Sequence, residues 1–154
     1  MSSNENLSTG EFSWPVRVYY EDTDSGGVVY YANYLKFMER ARTELLRSIG
    51  YEQDQIQQEL GVIFAVHSAN IQYKKPARFN DELNVITSIA SLGKASIHFK
   101  QSIFLKASHH TGATAGLLSD AEIKIACLNA KQFTPQSIPA SILEKINKEF
   151  HCGS

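Results

Sequence analysis

Residues 20–44, YEDTDSGGVVYYANYLKFMERARTE, join a loop to a helix, and the other predicted elements are arranged around this junction. Asp, Ser and two adjacent glycines in residues 21–27 are typical of a tight loop. From about residue 31 to residue 49, apolar side chains recur every three or four positions, which predicts a helix with one broad buried face. Gly50 is a typical residue at which such a helix ends.

Outside this helix, apolar residues alternate with polar ones, as they do in half-buried strands. A single buried helix needs a sheet to cover it, and successive strands with short connections form an antiparallel sheet. The sequence therefore predicts an α+β domain of the hot dog fold, a long central helix wrapped by a curved antiparallel β-sheet. The predicted strands are residues 16–20, 62–75, 82–91, 97–106 and 121–127, with short helices at 53–60 and 141–150.

The composition is ordinary for a soluble globular domain, because 43% of the 154 residues are apolar and 20% are charged. We predict a flexible leader over residues 1–13 and a single domain over residues 14–150. Fifteen Lys and Arg against sixteen Asp and Glu leave a net charge of −1. With no basic field to hold a phosphate backbone, nucleic-acid binding is not expected.

Cysteine content and the N-terminus predict a cytoplasmic location. The two cysteines, Cys127 and Cys152, are too few for a disulfide framework. The first ten residues lack the basic and apolar regions of a secretory signal, and no stretch approaches the roughly 18 apolar residues of a membrane span. We expect no integral membrane association.

The start of the predicted helix is suited to binding a carbonyl or an anion. A helix N-terminus presents backbone N–H groups with partial positive charge, and glycines let a substrate approach the backbone closely. Such donors can polarise a thioester carbonyl. Asp24 lies in the loop just before them, where spacing alone favours a loop or helix-capping aspartate, and Asp22 reads as a turn aspartate that orients the loop.

Several stretches together resemble a known family. They are Asp22-Thr23-Asp24-Ser25-Gly26-Gly27-Val28-Val29-Tyr30, then Ala32-Asn33-Tyr34, Glu39-Arg40-Ala41-Arg42-Thr43-Glu44, and residues 73–83 with Pro76-Ala77-Arg78. From about residue 14 to residue 146, the chain resembles the YbgC-like acyl-CoA thioesterases of the hot dog fold, relatives of 4-hydroxybenzoyl-CoA thioesterase. A match of this length is more specific than a three-residue motif.

The resemblance implies the roles of five residues around the loop. The catalytic aspartate of the family, the second acid of its D-x-D, falls on Asp24, as nucleophile or as general base. The N–H that polarises the substrate carbonyl falls on Tyr31, where many members carry His and the hydroxybenzoyl enzyme carries Tyr. Gly26, Gly27 and Val28 are implied to contact the substrate.

The resemblance also implies the ligand and the assembly. The substrate is an acyl-CoA, no further cofactor is expected, and basic residues of the sheet hold the CoA phosphates. Lys94 is the candidate by position, followed by Arg78. Members usually form a homotetramer, a dimer of hot dog dimers, with sites between subunits. Family members are linked to the Tol-Pal envelope system by genomic position. Apart from the resemblance, acyl-carrier protein is a further candidate partner.

Two other functions fit the same fold. One is a binding or scaffold protein for acyl-carrier or cell-division partners, although an intact Asp24 with Gly26 and Gly27 favours the enzyme. The other is a dehydratase or hydratase, which the lack of a convincing His and acid pair near the helix disfavours. Glu39 is a second candidate carboxylate in mid-helix, but an ion pair with Arg42 or Arg40 is the favoured interpretation.

Metal sites are not expected. His109 and His110 could be considered as metal ligands, with His151 and Cys152 as distant partners. Adjacent histidines on a loop seldom bind the same ion, however. The loop around Asp24 lacks the dense oxygen ligands of a calcium site. Cys127 alternates inward with the last predicted strand and is interpreted as a core residue.

Overall fold

The computed structural model describes residues 10–107 and 116–150, in which five strands form one antiparallel sheet. The strand order is β1-β3-β4-β5-β2. The strands are β1 (Glu11–Arg17), β2 (Val62–Tyr73), β3 (Glu82–Leu92), β4 (Ser96–Ala107) and β5 (Leu117–Asn129). The helices are α1 (Tyr31–Ser48) and α2 (Ala140–Phe150), with a 3₁₀ turn at Tyr20–Asp22 and short helical turns at Gln53–Gln55 and Ile56–Leu60.

Helix α1 lies across the sheet and buries one face against it. Its buried apolar side chains are Tyr34, Phe37, Met38, Ala41, Leu45 and Leu46. They recur at the three- and four-residue spacing that brings side chains to one side of a helix. The predicted α+β architecture of the hot dog fold is thereby confirmed, with the helix bounds within one residue of those expected.

The inner face of the sheet supplies the other half of the core. Alternate residues of the three central strands are buried, as their side-chain periodicity requires. The alternating buried residues are Leu83, Val85, Thr87 and Ile89 on β3, Ile97, Phe99, Gln101 and Ile103 on β4, and Ala121, Ile123, Ile125 and Cys127 on β5, which also buries Leu118 and Ser119 near its start. The predicted alternation is confirmed for these strands, and Cys127 is a buried free thiol whose pKa is raised by that burial.

The first strand begins earlier than the sequence predicted. Strand β1 covers Glu11–Arg17, so residues 11–13 are part of the sheet and not of a leader, and the predicted strand 16–20 is wrong at both ends. Pro15 has no N–H to donate, and it is tolerated because β1 is an edge strand. The alternation of Phe12 and Trp14 with polar neighbours marks the true start.

None of the described helices is long and apolar enough to cross a membrane.

Candidate active site

The Asp24 loop, residues 23–29, is a narrow hairpin that holds its own carboxylate. Thr23 pairs with Val29, and the Asp24 N–H donates to the Val28 carbonyl at 2.9 Å. At the tip, the Gly26 N–H donates to Asp24 Oδ1 at 2.8 Å and the Gly27 N–H to the Asp24 carbonyl at 3.0 Å. The side chain of Asp24 is therefore oriented by the backbone that follows it.

The two glycines are needed for different reasons. Gly27 has a φ of +80°, which L side chains rarely adopt. A Cβ at Gly26 would lie 3.2 Å from Asp24 Oδ1 and would press on the carboxylate. The two glycines thus keep the loop tight and leave its tip without a bulky side chain.

A second segment of chain supports the outer leg of the Asp24 loop. Val28 pairs with Arg78 in an isolated bridge, and the Val29 N–H donates to the Ala77 carbonyl at 2.9 Å. The structure therefore brings the sequence-predicted residues Asp24, Gly26, Gly27, Val28 and Arg78 together.

Helix α1 begins immediately after this loop. The carbonyl of Asp22 accepts hydrogen bonds from the Tyr30 N–H at 3.1 Å and from Asn33 Nδ2 at 2.8 Å, which fixes the first turn relative to the loop. The Asp22 carboxylate accepts from the Tyr19 N–H at 2.8 Å, confirming its role as a turn aspartate. Among the described residues no acceptor is recorded for the Tyr31 N–H, so this donor is available at the start of the helix.

Three tyrosines line the side of the helix start. The rings of Tyr31 and Tyr73 are 4.6 Å apart, and the Tyr73 hydroxyl donates to the Tyr31 carbonyl at 3.3 Å. Tyr34 is buried, and its hydroxyl accepts the Ala77 N–H at 2.9 Å. Burial raises the pKa of Tyr34 above its usual value, although the bond from Ala77 opposes the shift, so this phenol is neutral at physiological pH.

The arrangement is suited to acyl transfer. Asp24 Oδ1 is held by Gly26, whereas no donor to Oδ2 is recorded among the described residues, which leaves that oxygen able to act. Residues 24–27 are exposed in the single chain. The Asp24 loop leads directly into α1, whose first N–H has no acceptor among the described residues, so one short segment supplies a nucleophile or base and a donor for a developing oxyanion.

The two candidates for binding CoA phosphates lie at opposite ends of the sheet. Arg78 is exposed beside the Asp24 loop, next to the start of β3. Lys94 is exposed in the turn after β3, where its carbonyl accepts from the Ile138 N–H at 2.8 Å. An 11-residue strand at about 3.3 Å per residue separates them by roughly 30 Å. Within one chain only Arg78 is near Asp24.

The predicted ion pair of Glu39 is wrong. Glu39 Oε2 accepts from the Thr43 hydroxyl at 3.1 Å, and among the described residues it forms no ion pair within 4 Å. Arg42 turns inward instead and donates to Gln101 Oε1 at 2.9 Å, because the core offers it a fixed acceptor. Burial lowers the pKa of Arg42, and the charge of Glu39 partly offsets this.

Within residues 10–107 and 116–150, no group of three or more His, Cys, Asp and Glu side chains could hold a metal ion. The pair His109 and His110 lies outside the described residues, as do His151 and Cys152.

Residues 26–110 match the thioesterase superfamily, over more than half of the 154-residue chain. The chain belongs to the thioesterase superfamily.

Similarity to individual proteins supports the same family assignment. The chain is 40% identical over 142 residues to the acyl-CoA thioester hydrolase YbgC of Escherichia coli, covering 92% of this chain and all of that relative. A probable thioesterase from Bartonella henselae superposes with a TM-score of 0.73 at 31% identity, covering 84% of this chain and 99% of that one. The predicted membership of the YbgC-like acyl-CoA thioesterases is confirmed.

The fold extends to more distant members. The 4-hydroxybenzoyl CoA thioesterase from Pseudomonas sp. strain CBS-3 superposes with a TM-score of 0.80, covering 88% of this thioesterase-superfamily chain and 99% of the other. At 20% identity this likeness shows the shared fold alone.

Sequence reasoning missed several side chains that hold the site. Asn33 binds the Asp22 carbonyl just before the loop, Tyr34 binds the Ala77 N–H of the supporting segment, and Tyr73 binds the Tyr31 carbonyl at the helix start. No role in holding the site was predicted for these three residues. Gln101 carried a signal, since a polar residue on the apolar face of a strand needs buried partners. It binds Arg42, the Met38 carbonyl and the Thr87 hydroxyl.

Proposed function

We propose that this protein hydrolyses an acyl-CoA thioester to the free acid and CoA, with Asp24 as the working carboxylate. The observation that carries the proposal is the Asp24 loop itself: one carboxylate oxygen is held by Gly26 at 2.8 Å, in the loop that leads into a helix with one buried face. Its relative in Escherichia coli is named an acyl-CoA thioester hydrolase. CoA belongs to the substrate, and no further cofactor is proposed.

Two routes use the same carboxylate. In the first, Asp24 Oδ2 attacks the thioester carbon, the C–S bond breaks, the CoA thiolate leaves and takes a proton, and water cleaves the resulting mixed anhydride. In the second, Asp24 takes a proton from a water molecule whose oxygen attacks the same carbon, the C–S bond breaks, and the leaving CoA thiolate takes up that proton, which restores the carboxylate. Both routes need the oriented carboxylate and neither needs a second acid.

The N–H of Tyr31 would stabilise the oxygen of the thioester carbonyl. In either route negative charge develops on that oxygen, and a fixed donor at a helix start is worth most in the transition state. Gly26, Gly27 and Val28 would contact the substrate, because the tip of the loop carries no bulky side chain. Arg78 beside Val28 would attract a CoA phosphate, and Lys94 could do so only for a site formed with another chain.

Wild-type protein should release free thiol from at least one member of a panel of acyl-CoAs with short, long and aromatic acyl groups. The assay is steady-state detection of the thiol at neutral pH. Absence of turnover with every thioester, by a folded protein, would contradict the proposed hydrolysis and favour the binding or scaffold function.

We also propose that the site is completed by another copy of the chain, in a homotetramer. The exposure of residues 24–27 in one chain supports this, since an active site needs walls that exclude water. The 12-residue edge strand β2 supports it too, because a long unpaired edge readily pairs with another chain. Sedimentation should give four times the 17.2 kDa chain mass, and a monomer at micromolar concentration would contradict the proposal.

A cytoplasmic location is a prediction from the cysteine content and the N-terminus. Acyl-carrier protein is a further candidate partner, and a link to the Tol-Pal system is a prediction carried by family resemblance alone. Cell fractionation with an antibody tests the first, and recovery in the envelope fraction would contradict it.

A further inference from the structure

Asp81 is a buried carboxylate just before β3, close to the Asp24 loop but outside it. The residue is 3% exposed. Its Oδ2 accepts the Arg78 N–H at 2.9 Å, whereas its Oδ1 is buried with no donor among the described residues. Burying an acceptor without a partner costs folding free energy. The presence of a carboxylate at this position therefore needs a compensating structural or functional role.

The carboxylate closes a turn over residues 78–81. The Asp81 N–H donates back to the Arg78 carbonyl at 3.1 Å, so side chain and backbone of one residue hold both ends of the turn. Asn80 inside the turn has a φ of +70°, a conformation that Asn tolerates better than most residues. The Asp81 carbonyl accepts from the Val18 N–H at 3.0 Å, which ties the turn to the end of β1.

The same turn supports the Asp24 loop. Arg78, whose N–H is held by Asp81, pairs with Val28 on the outer leg of the loop. Val28 in turn accepts the Asp24 N–H at 2.9 Å. A continuous path of backbone pairing therefore leads from the Asp81 carboxylate to the residue that carries the proposed catalytic carboxylate.

We propose that Asp81 is a positioning residue, which fixes the orientation of the Asp24 carboxylate through the backbone of Arg78 and Val28. The inference rests on the proposed function for its kinetic consequence, but its structural consequence, an ordered Asp24 loop, is independent of any substrate. Asp81 itself contacts no reacting atom.

Asp81→Ala removes the acceptor of the Arg78 N–H, and we compare it with Asp81→Asn, whose amide oxygen still accepts that bond. Amide hydrogen exchange at Gly26 and Gly27, followed by NMR, should become at least about tenfold faster in the Ala variant, because both N–H groups are held by Asp24. The kcat should fall at least about tenfold with KM nearly unchanged, since misplaced catalytic groups lose rate more than binding. In Asp81→Asn, the exchange rates at Gly26 and Gly27 and the kcat should both be close to the wild-type values.

A matched control separates positioning from general destabilisation. Thr87→Val also removes one buried hydrogen-bond partner, that of Gln101, at a fully buried position of β3 outside the Asp24 loop. It should lower the Tm without changing loop exchange or kcat. Arg78→Ala is a second control, because it keeps the backbone N–H and should leave loop exchange unchanged.

Unchanged exchange at Gly26 and Gly27 in a folded Asp81→Ala would overturn the inference, as would an equal loss of kcat in Thr87→Val. If the Ala variant does not fold, Asp81→Ser offers a shorter acceptor and should give intermediate exchange rates; wild-type rates in that variant would also overturn it. A wild type without thioester turnover would refute the proposed function, while the exchange data would still decide the role of Asp81.

Discussion

Asp24→Asn should lower kcat/KM for the preferred acyl-CoA by at least about 10³-fold while the protein stays folded. The amide oxygen can still accept the Gly26 N–H that Oδ1 accepts at 2.8 Å, so the loop should keep its shape. What is lost is the negative charge and basicity of the free oxygen. Steady-state thiol release measures the rate, and circular dichroism checks the fold.

Asp22→Asn is the matched control for this experiment. It removes the same charge two residues away, and its amide oxygen can still accept the Tyr19 N–H. Only a few-fold loss of activity is expected. Equal losses in the two variants would mean that the charge of the loop, and not the Asp24 carboxylate, supports turnover.

Phe37→Ala should destabilise the protein by about 3–5 kcal/mol, the usual cost of emptying a fully buried aromatic site. Phe37 is 1% exposed on the inner face of α1 and packs edge to face on Tyr34, whose hydroxyl holds Ala77. The loss combines transfer of the ring to water with a cavity between helix and sheet. Urea unfolding at fixed protein concentration measures the change.

Leu35→Ala, on the same helix, is the control for Phe37→Ala. Leu35 is 38% exposed, so its truncation should cost about 1 kcal/mol or less. Similar losses for the two variants would contradict the burial of one face of α1 against the sheet.

The elements that depend on local periodicity could be predicted from sequence. Apolar residues alternate along β3, β4 and β5 and form one stripe along α1. Each pattern predicts one buried face, because side-chain direction follows from the periodicity of the element. The start of β1 was missed because Pro15 interrupts the short alternating stretch that contains Phe12 and Trp14. Its pairing with β3 is a tertiary contact, which the residues of β1 alone do not predict.

Only those site residues that lie close together in the sequence could be predicted. Asp24, Gly26 and Gly27 lie in one short loop, so a single motif identifies them. The support of that loop by Arg78 depends on its pairing with Val28, which lies far away in the sequence, and no local pattern encodes such a contact. The predicted ion pair between Glu39 and Arg42 was wrong for the same reason. Helical spacing places the two side chains near each other, but Arg42 binds Gln101 on β4, which is distant in sequence.

A crystal structure of the Asp24→Asn variant with an unhydrolysed acyl-CoA tests the central claim most directly. We predict that the thioester carbon lies against the substituted side chain, that the carbonyl oxygen accepts the Tyr31 N–H, and that a CoA phosphate lies near Arg78. A thioester bound away from the Asp24 loop, or a carbonyl oxygen facing away from the start of α1, would contradict the proposed mechanism.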